Sequence, residues 1–255
     1  SASTALDWAR AERAYAQLHT LAPEHGGIAR NWLRAMGEQG KTVEAIAIAA
    51  RWLEAAPNDI AMWKRVSTLA NEGQHWESEI SAQRNLIRLA PDVAEHPYRM
   101  ACALLNLDEF ESAREIRAAS RKRWPDDLRL LWLDASTHRT IPENTSEIAQ
   151  DRAATEAGLA EAEQWQGDAT HAFDALSRSH FYSAYHGKNE RDRALRAAKQ
   201  IERIAHLHLP FEAFTTKTQT PRVGEKIKVT MVSQFWYRHT IAHYFGGWLK
   251  HLDRA

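Results

Sequence analysis

This chain of 255 residues has little of what several protein classes depend on. A single cysteine, Cys102, excludes an internal disulfide and a cysteine-based zinc site. Such poverty suits a reducing compartment, and a cytoplasmic location is the expectation. Lysine and arginine number 33, aspartate and glutamate also 33, and the longest basic run is Arg121-Lys122-Arg123. That balance lacks the electrostatic footprint of a phosphate-backbone binder, so nucleic acid is not an expected partner. No apolar run approaches a bilayer span and the N-terminus has no h-region, so a membrane is not an expected partner either. Glycine and valine are scarce before residue 222, while alanine, leucine, glutamate, arginine and glutamine dominate. Roughly the first four-fifths therefore reads as almost wholly helical.

Among the few prolines, Pro23, Pro57, Pro91 and Pro125 are spaced by 34 residues each (57−23, 91−57, 125−91). Each closes a helical pattern, at Leu21-Ala22-Pro23, Ala55-Ala56-Pro57, Leu89-Ala90-Pro91 and Arg123-Trp124-Pro125. A proline there stops one helix and lets the next begin. A helical bundle whose prolines coincide by chance is the competing reading, and three equal intervals weigh against it.

The interval resembles the tetratricopeptide repeat, a hairpin of two helices. Twelve residues before each proline that family places alanine, and the chain has Ala11, Ala45, Glu79 and Ala113. Gly40 and Gly73 mark the turns between paired helices. Gly73 to Ile80 is one residue longer than Gly40 to Ile46, which on this reading moves Glu79 out of the alanine slot. Trp63 sits where the family's first-helix tryptophan belongs; Trp32, Trp52, Trp124 and Trp132 fall in apolar helical patterns as packing residues. Residues 1–135 are read as one partial and three full repeats running into a further helix. Such repeats bury their apolar faces only by stacking, and the stack offers a concave surface to a peptide or protein.

Beyond Pro125 the period fails. An aperiodic helical extension covers 136–210, with Ser146 or Thr145 capping a long alanine- and glutamate-rich helix and another helix over Arg191–Leu207. A polar, proline-broken linker covers 211–225. Lys226–Ser233 alternates β-branched residues as a strand. Ile241, Phe245, Trp248, Leu249 and Leu252 then share one helical face. Strand, loop and amphipathic helix over 226–255 read as the opening of a Rossmann-like α/β lobe. The fold class is thus mainly α, a helical solenoid with extra C-terminal helices followed by the first strand and helix of such a lobe.

Val232-Ser233, His239 and His243, placed straight after a linker that follows repeats, resemble the start of the catalytic region in the O-linked N-acetylglucosamine transferase and SPINDLY glycosyltransferases. Tyr182-x-x-Tyr185-His186-x-x-Asn189 resembles the region before that domain in bacterial members. Phe235-Trp236 and Thr240 depart from the family's flanking residues. The resemblance implies a two-lobed, GT-B type, inverting and metal-independent transferase. It would move a sugar from a nucleotide donor, typically UDP-linked, to a protein side chain, with the repeats recruiting the acceptor. It implies for His239 a place beside the sugar, as base or positioning group, which an imidazole can fill near neutral pH. His243, one turn on, could pair with it as a zinc ligand. Thr240-Ile241-Ala242 lacks the glutamate of an H-E-x-x-H site and no third ligand is identifiable, so packing is the bland reading and no metal is expected.

Only 22 residues follow Ser233 (255−233). The chain by itself is expected to be inactive, with no cofactor of its own and the nucleotide sugar bound elsewhere in the full-length enzyme. A non-enzymatic repeat scaffold remains the alternative, and oligomerisation is left open. The positions that face the concave side in the repeat family are here Arg30, Arg34, Lys64, Thr68, Asn71 and Tyr98. Asn31, Arg65 and Arg99 stand at the family's groove asparagines. That surface would favour acidic or hydroxyl-rich peptides; the bland reading is a solvated charged face. Cys102, in Met100-Ala101-Cys102-Ala103-Leu104, reads as a small buried or half-buried packing residue. His180, His186, His206 and His208 read as structural or surface histidines.

Overall fold

A computed structural model describes residues 2–178, 180–208 and 240–251. The chain forms two compact units, Ser1–Pro210 and Phe211–Ala255. The first contains α1 (Ala2–Leu21), α2 (Gly26–Gly37), α3 (Thr42–Ala55), α4 (Ile60–Glu72), α5 (Trp76–Leu89), α6 (Glu95–Asn106) and α7 (Phe110–Arg123). It continues through α8 (Leu128–Ser136), α9 (Thr145–Gln164), α10 (Ala172–Leu176) and α11 (Arg191–His208). In the second unit α12 (Thr240–His251) is described. No strand occurs among the described residues. The expected linker, the strand at Lys226–Ser233 and His239 lie outside them.

The second helices of the hairpins end at 21, 55, 89 and 123, each 34 residues after the last. Prolines cause this punctuation: the residue before a proline is pushed out of the helical region. Ala56, Ala90 and Trp124 accordingly share φ of −131°, −138° and −126°. First helices then restart on side-chain caps. His25, Asp59 and Asp127 accept hydrogen bonds from the backbone N–H groups of Ile28, of Met62, and of Arg129 and Leu130. Val93 holds that position in the third repeat. There α6 starts without a side-chain cap, and Pro97 in its first turn has no N–H to satisfy.

The turn inside each hairpin corrects the expected register. Left-handed backbone occurs at Gly40 (φ 77°), Gln74 (φ 59°) and Asp108 (φ 58°), again 34 apart. Gly73 ends α4 at φ −85° and is small for another reason, since a Cβ there would stand 2.6 Å from the Thr42 Cγ2. No residue is inserted. Glu79 therefore sits in the alanine slot between Ala45 and Ala113, and it is 1 % exposed.

Successive hairpins stack through apolar clusters. Leu33, Met36, Ala45, Leu53, Met62, Val66 and Leu69 make the first. Ile80, Met100, Leu104 and Ala113 make the next, and Tyr98, Ala101, Leu130 and Leu133 carry the core onward. The hairpin form outlives the period: α8 and α9 pair as the repeats do, across a longer loop at 137–144. Gly158 permits it, because a Cβ at that site would meet the Ala135 backbone at 2.7 Å. Extension and repeats share one core, in which Trp132, Leu159, Trp165, Ala197 and Ile204 are buried together. Arg203 locks α11 to the end of α9 by donating to the carbonyls of Ala162 (2.7 Å) and Trp165 (3.0 Å). The Ala162 oxygen also accepts the Trp165 backbone N–H at 3.3 Å, so Arg203 adds a second donor at the frayed end of α9.

Gly158→Ala should lower stability by about 2 kcal/mol, since a backbone clash outweighs the gain in helix propensity. Gln74→Gly should raise it by about 0.5–1 kcal/mol by relieving a left-handed residue. Urea unfolding read by circular dichroism checks both signs.

Candidate functional site

The first helices α2, α4 and α6 carry the residues expected to bind a partner. On α2, Asn31 is exposed, Arg34 pairs with Glu38 at 3.8 Å, and Arg30 reaches Asp59 at 3.6 Å. Asp59 is already committed, since its carboxylate caps α4 and accepts the Trp52 indole N–H at 3.0 Å. On α4, Lys64 and Asn71 are exposed, and the Thr68 hydroxyl donates back to the Lys64 carbonyl at 3.0 Å. Between the two helices lies a hollow of about 240 Å³ lined by Arg34, Glu38, Arg65, Leu69 and Glu72. Arg65 is its most informative member. Its Nε is buried without a hydrogen-bond partner. Burial first, then the nearby Arg34, pull its pKa down, with Glu72 opposing. Among the described residues Lys64 and Arg65 form no ion pair, so these two cations are the ones available to an incoming anion.

Arg99 differs. It pairs with Glu95 at 2.9 Å, approaches Glu79 at 3.8 Å and donates to the Ser67 hydroxyl at 3.4 Å. Behind it lies a polar cluster built around the misfit glutamate. Glu79 Oε1 accepts from Ser67 (3.1 Å) and from the Gln83 amide (2.9 Å), and Gln83 Oε1 meets His96 Nδ1 at 3.0 Å. Burial raises the Glu79 pKa against those hydrogen bonds and Arg99, and burial lowers that of His96. Glu79 Oε2 and His96 Nε2 remain unpartnered. An arginine at the groove is thereby held by the inside of the repeat.

Tyr98 is not part of an open surface. It is 9 % exposed, its hydroxyl donates to the Asp174 carbonyl at 3.2 Å, and Arg129 lies 5.8 Å from its ring centre. The extension thus covers the third repeat's share of the groove, and burial keeps the phenol protonated by pushing its pKa up. Cys102, half-buried beside Tyr98 and Arg178, has its thiol pKa raised, chiefly by burial. That is the opposite of an activated thiolate.

Sequence reasoning passed over a histidine cluster. His138 and His186 are buried, with ring centres 5.3 Å apart, and His180 stands 5.9 Å from both His138 and the Trp132 indole. Thr155 meets His138 Nε2 at 3.0 Å, whereas all four ring nitrogens of His180 and His186 lack partners. Burial, then the other two imidazoles and Arg193, hold the His138 pKa down to about 4. Burial lowers His180 and His186 as well, with Glu190 opposing both, Glu156 opposing at His180 and Asp151 at His186. The loop that makes the fourth hairpin irregular delivers His138, and no local pattern in the sequence announces it. Among the described residues no group of three or more histidine, cysteine or acidic side chains is placed to hold a metal. His243 is exposed on α12.

These features define the unit Ser1–Pro210 as a solenoid of stacked helical hairpins with a 34-residue period and a partly open, cationic first-helix surface. No protein-family model matches the chain, and no curated protein matches it. Eight solved chains match in structure. One of them, described as the MamA RS-1 ArsTM double mutant, superposes with a TM-score of 0.45 at 13 % identity, over 72 % of this chain and 96 % of that one.

The histidines dictate an acid sensitivity. The folded pKa of His138 lies below the ordinary value near 6.5, so the unfolded chain binds more protons between about 6.5 and 4. Stability should be intact above that window and fall within it, by about 3 kcal/mol from His138. Glu79, whose carboxyl is raised, works in the opposite direction. The diagnostic is therefore the difference between the urea-midpoint pH profiles of the wild type and His138→Gln, with the variant expected to be flatter.

Proposed function

We propose that this chain is the acceptor-recruiting arm of a protein glycosyltransferase, and that its first-helix surface from Arg30 to Asn71 binds an extended acidic segment of the acceptor. One observation carries the binding part: Arg65, a half-buried guanidinium that forms no ion pair and whose Nε lacks a hydrogen-bond partner, lines a hollow between α2 and α4 that Glu38 and Glu72 share. A carboxylate entering there would gain a charge-assisted hydrogen bond and relieve the repulsion among Arg30, Arg34 and Arg65. The transferase part is supported by the order of elements in the sequence, namely repeats, helical extension, linker and a strand-to-histidine motif ending at His239 and His243. In that reading the donor is a UDP-linked sugar held beyond this chain, and His239 is base or positioning group.

A repeat scaffold without catalysis would use the same surface. Tyr98 under α10 favours neither reading, because it limits the groove and does not fill it.

Fluorescence anisotropy with a labelled acidic peptide, such as an alternating Glu-Ser decamer, should show binding that weakens as salt rises. Lys64→Glu combined with Arg65→Glu should reduce affinity about tenfold or more, an effect of the order expected for charge-assisted contacts. Unchanged affinity would locate binding elsewhere. For catalysis, calorimetry of the full-length natural protein with a UDP-sugar should give saturable binding, and His239→Ala should cost turnover more than stability. Absence of any nucleotide-sugar binding leaves the scaffold reading.

A further inference from the structure

The stretch that joins α9 to α11 is lightly held. Residues 168–178 and 180–186 form only short turns of helix, Ala169–His171, α10 and Phe181–His186, flanked by Gly167 and by Gly187, whose backbone is left-handed at φ 63°. They enter the core through the small side chains of Ala169, Ala172 and Ala175. Large apolar side chains face water instead: Phe173 is 83 % exposed and Tyr185 67 %. Among the described residues two hydrogen bonds tie this backbone to α6 and α8. The Tyr98 hydroxyl donates to the Asp174 carbonyl and the Trp132 indole N–H to the Arg178 carbonyl, both at 3.2 Å. A segment with so little apolar burial opens locally at lower cost than the whole unit unfolds.

The same stretch carries two of the three clustered imidazoles. His180 and His186 meet His138 at 5.9 and 5.3 Å between ring centres, and their own four ring nitrogens have no partner. Charged groups face the cluster from two helices: Asp151, Arg152 and Glu156 from α9, Arg193 and the preceding Glu190 from α11. Each of these carboxylates is already held by arginine. Asp151 pairs with Arg139, Glu190 with Arg152 and with Arg193 at 2.9 Å, and Glu156 with Arg193 at 2.9 Å and Arg196 at 2.5 Å. Three carboxylates set against four arginines leave no counter-ion for an imidazolium in the closed structure. A charge added there stays desolvated and unpaired until water reaches the rings.

We propose that residues 168–186 form an acid-released strap: protons taken up by His138, His180 and His186 free it from α6 and α8 and uncover Tyr98, adding the third repeat's share to the first-helix surface. The sign follows from burial. All three rings bind a proton less readily in the closed form, so the open form binds more protons below about pH 6.5. Closure is complete at neutral pH and weakens as pH falls through that value. Release of the strap stands apart from the groove reading; only the use of the uncovered surface rests on it.

Hydrogen exchange of the 255-residue chain, read by mass spectrometry and corrected for the intrinsic rate at each pH, tests the release. From pH 7 to 5 the amides of α10 and 181–186 should lose about tenfold or more of their protection, while those of α4 and α5 keep theirs. Unchanged protection of α10 at pH 5 would overturn the release, and an equal loss in α4 and α5 would replace the strap by unfolding of the unit. His138→Gln combined with His180→Phe and His186→Phe removes the three imidazoles and should stay protected at pH 5; a loss like that of the wild type would assign the effect to other groups and overturn the proposal. If that variant is already unprotected at pH 7, imidazole titrations of the wild type by nuclear magnetic resonance decide. Midpoints that coincide with the loss of protection support the release, and three charged rings beneath a still protected α10 overturn it. No acceptor is present in these measurements, so failure of the groove reading leaves their outcome untouched.

Discussion

A two-helix hairpin cannot cover its own apolar face, and the organisation of the first unit follows from that constraint. Each hairpin passes an uncovered surface to the next: Leu33 and Leu53 to Met62, Val66 and Leu69, Ile80 to Met100 and Leu104, Tyr98 and Ala101 to Leu130 and Leu133. Such a series must end somewhere, and its last member needs a cover that does not expose another apolar face. The aperiodic extension is that cover. It buries Trp132 and Leu128 under Leu159, Trp165 and Ile204 and edges them with ion pairs, the buried Arg193 meeting Glu156 and the half-buried Arg196 meeting Glu156 and Glu163. Loss of periodicity after Pro125 is what termination of a stack requires.

Termination has a consequence for binding. By reaching back to Tyr98, the cover removes the third repeat from the first-helix surface and leaves the stretch between α2 and α4 open. The second repeat then holds polar groups on both sides of its helices. Outward, Lys64 and Arg65 lack carboxylate partners; inward, Ser67, Glu79, Gln83 and His96 form a buried network that holds Arg99. A buried carboxylate in a slot made for alanine costs desolvation, which its hydrogen bonds offset in part. Two orphaned atoms, Glu79 Oε2 and His96 Nε2, record the remainder.

Much of the solenoid was legible in the chain because its signals are local. Pro23, Pro57, Pro91 and Pro125 fix helix ends through the sterics of the preceding residue, and that effect does not depend on distant neighbours. Glu79 was misplaced because Gly73 looked like the turn residue. A glycine can be required by a left-handed backbone or by a close neighbour, and only the Thr42 contact distinguishes them. Tyr98 was misread because helical phase names the face a side chain takes and says nothing about what later folds over it. His138, His180 and His186 are 48 residues apart end to end (186−138) and no spacing rule joins them.

Sequence alone therefore settles the repeat length, the ends of the helices that precede its prolines and the cationic character of the first helices, each written in residues whose effect is local; the cap of α9, expected at Ser146 or Thr145, is Asn144, whose side chain accepts from the Glu147 N–H. Sequence leaves open which of those cations lack a partner, which part of the groove stays uncovered, and how three histidines come to share a core. Those properties depend on contacts across tens of residues, between side chains whose distances are set when the hairpins stack and the extension closes over them.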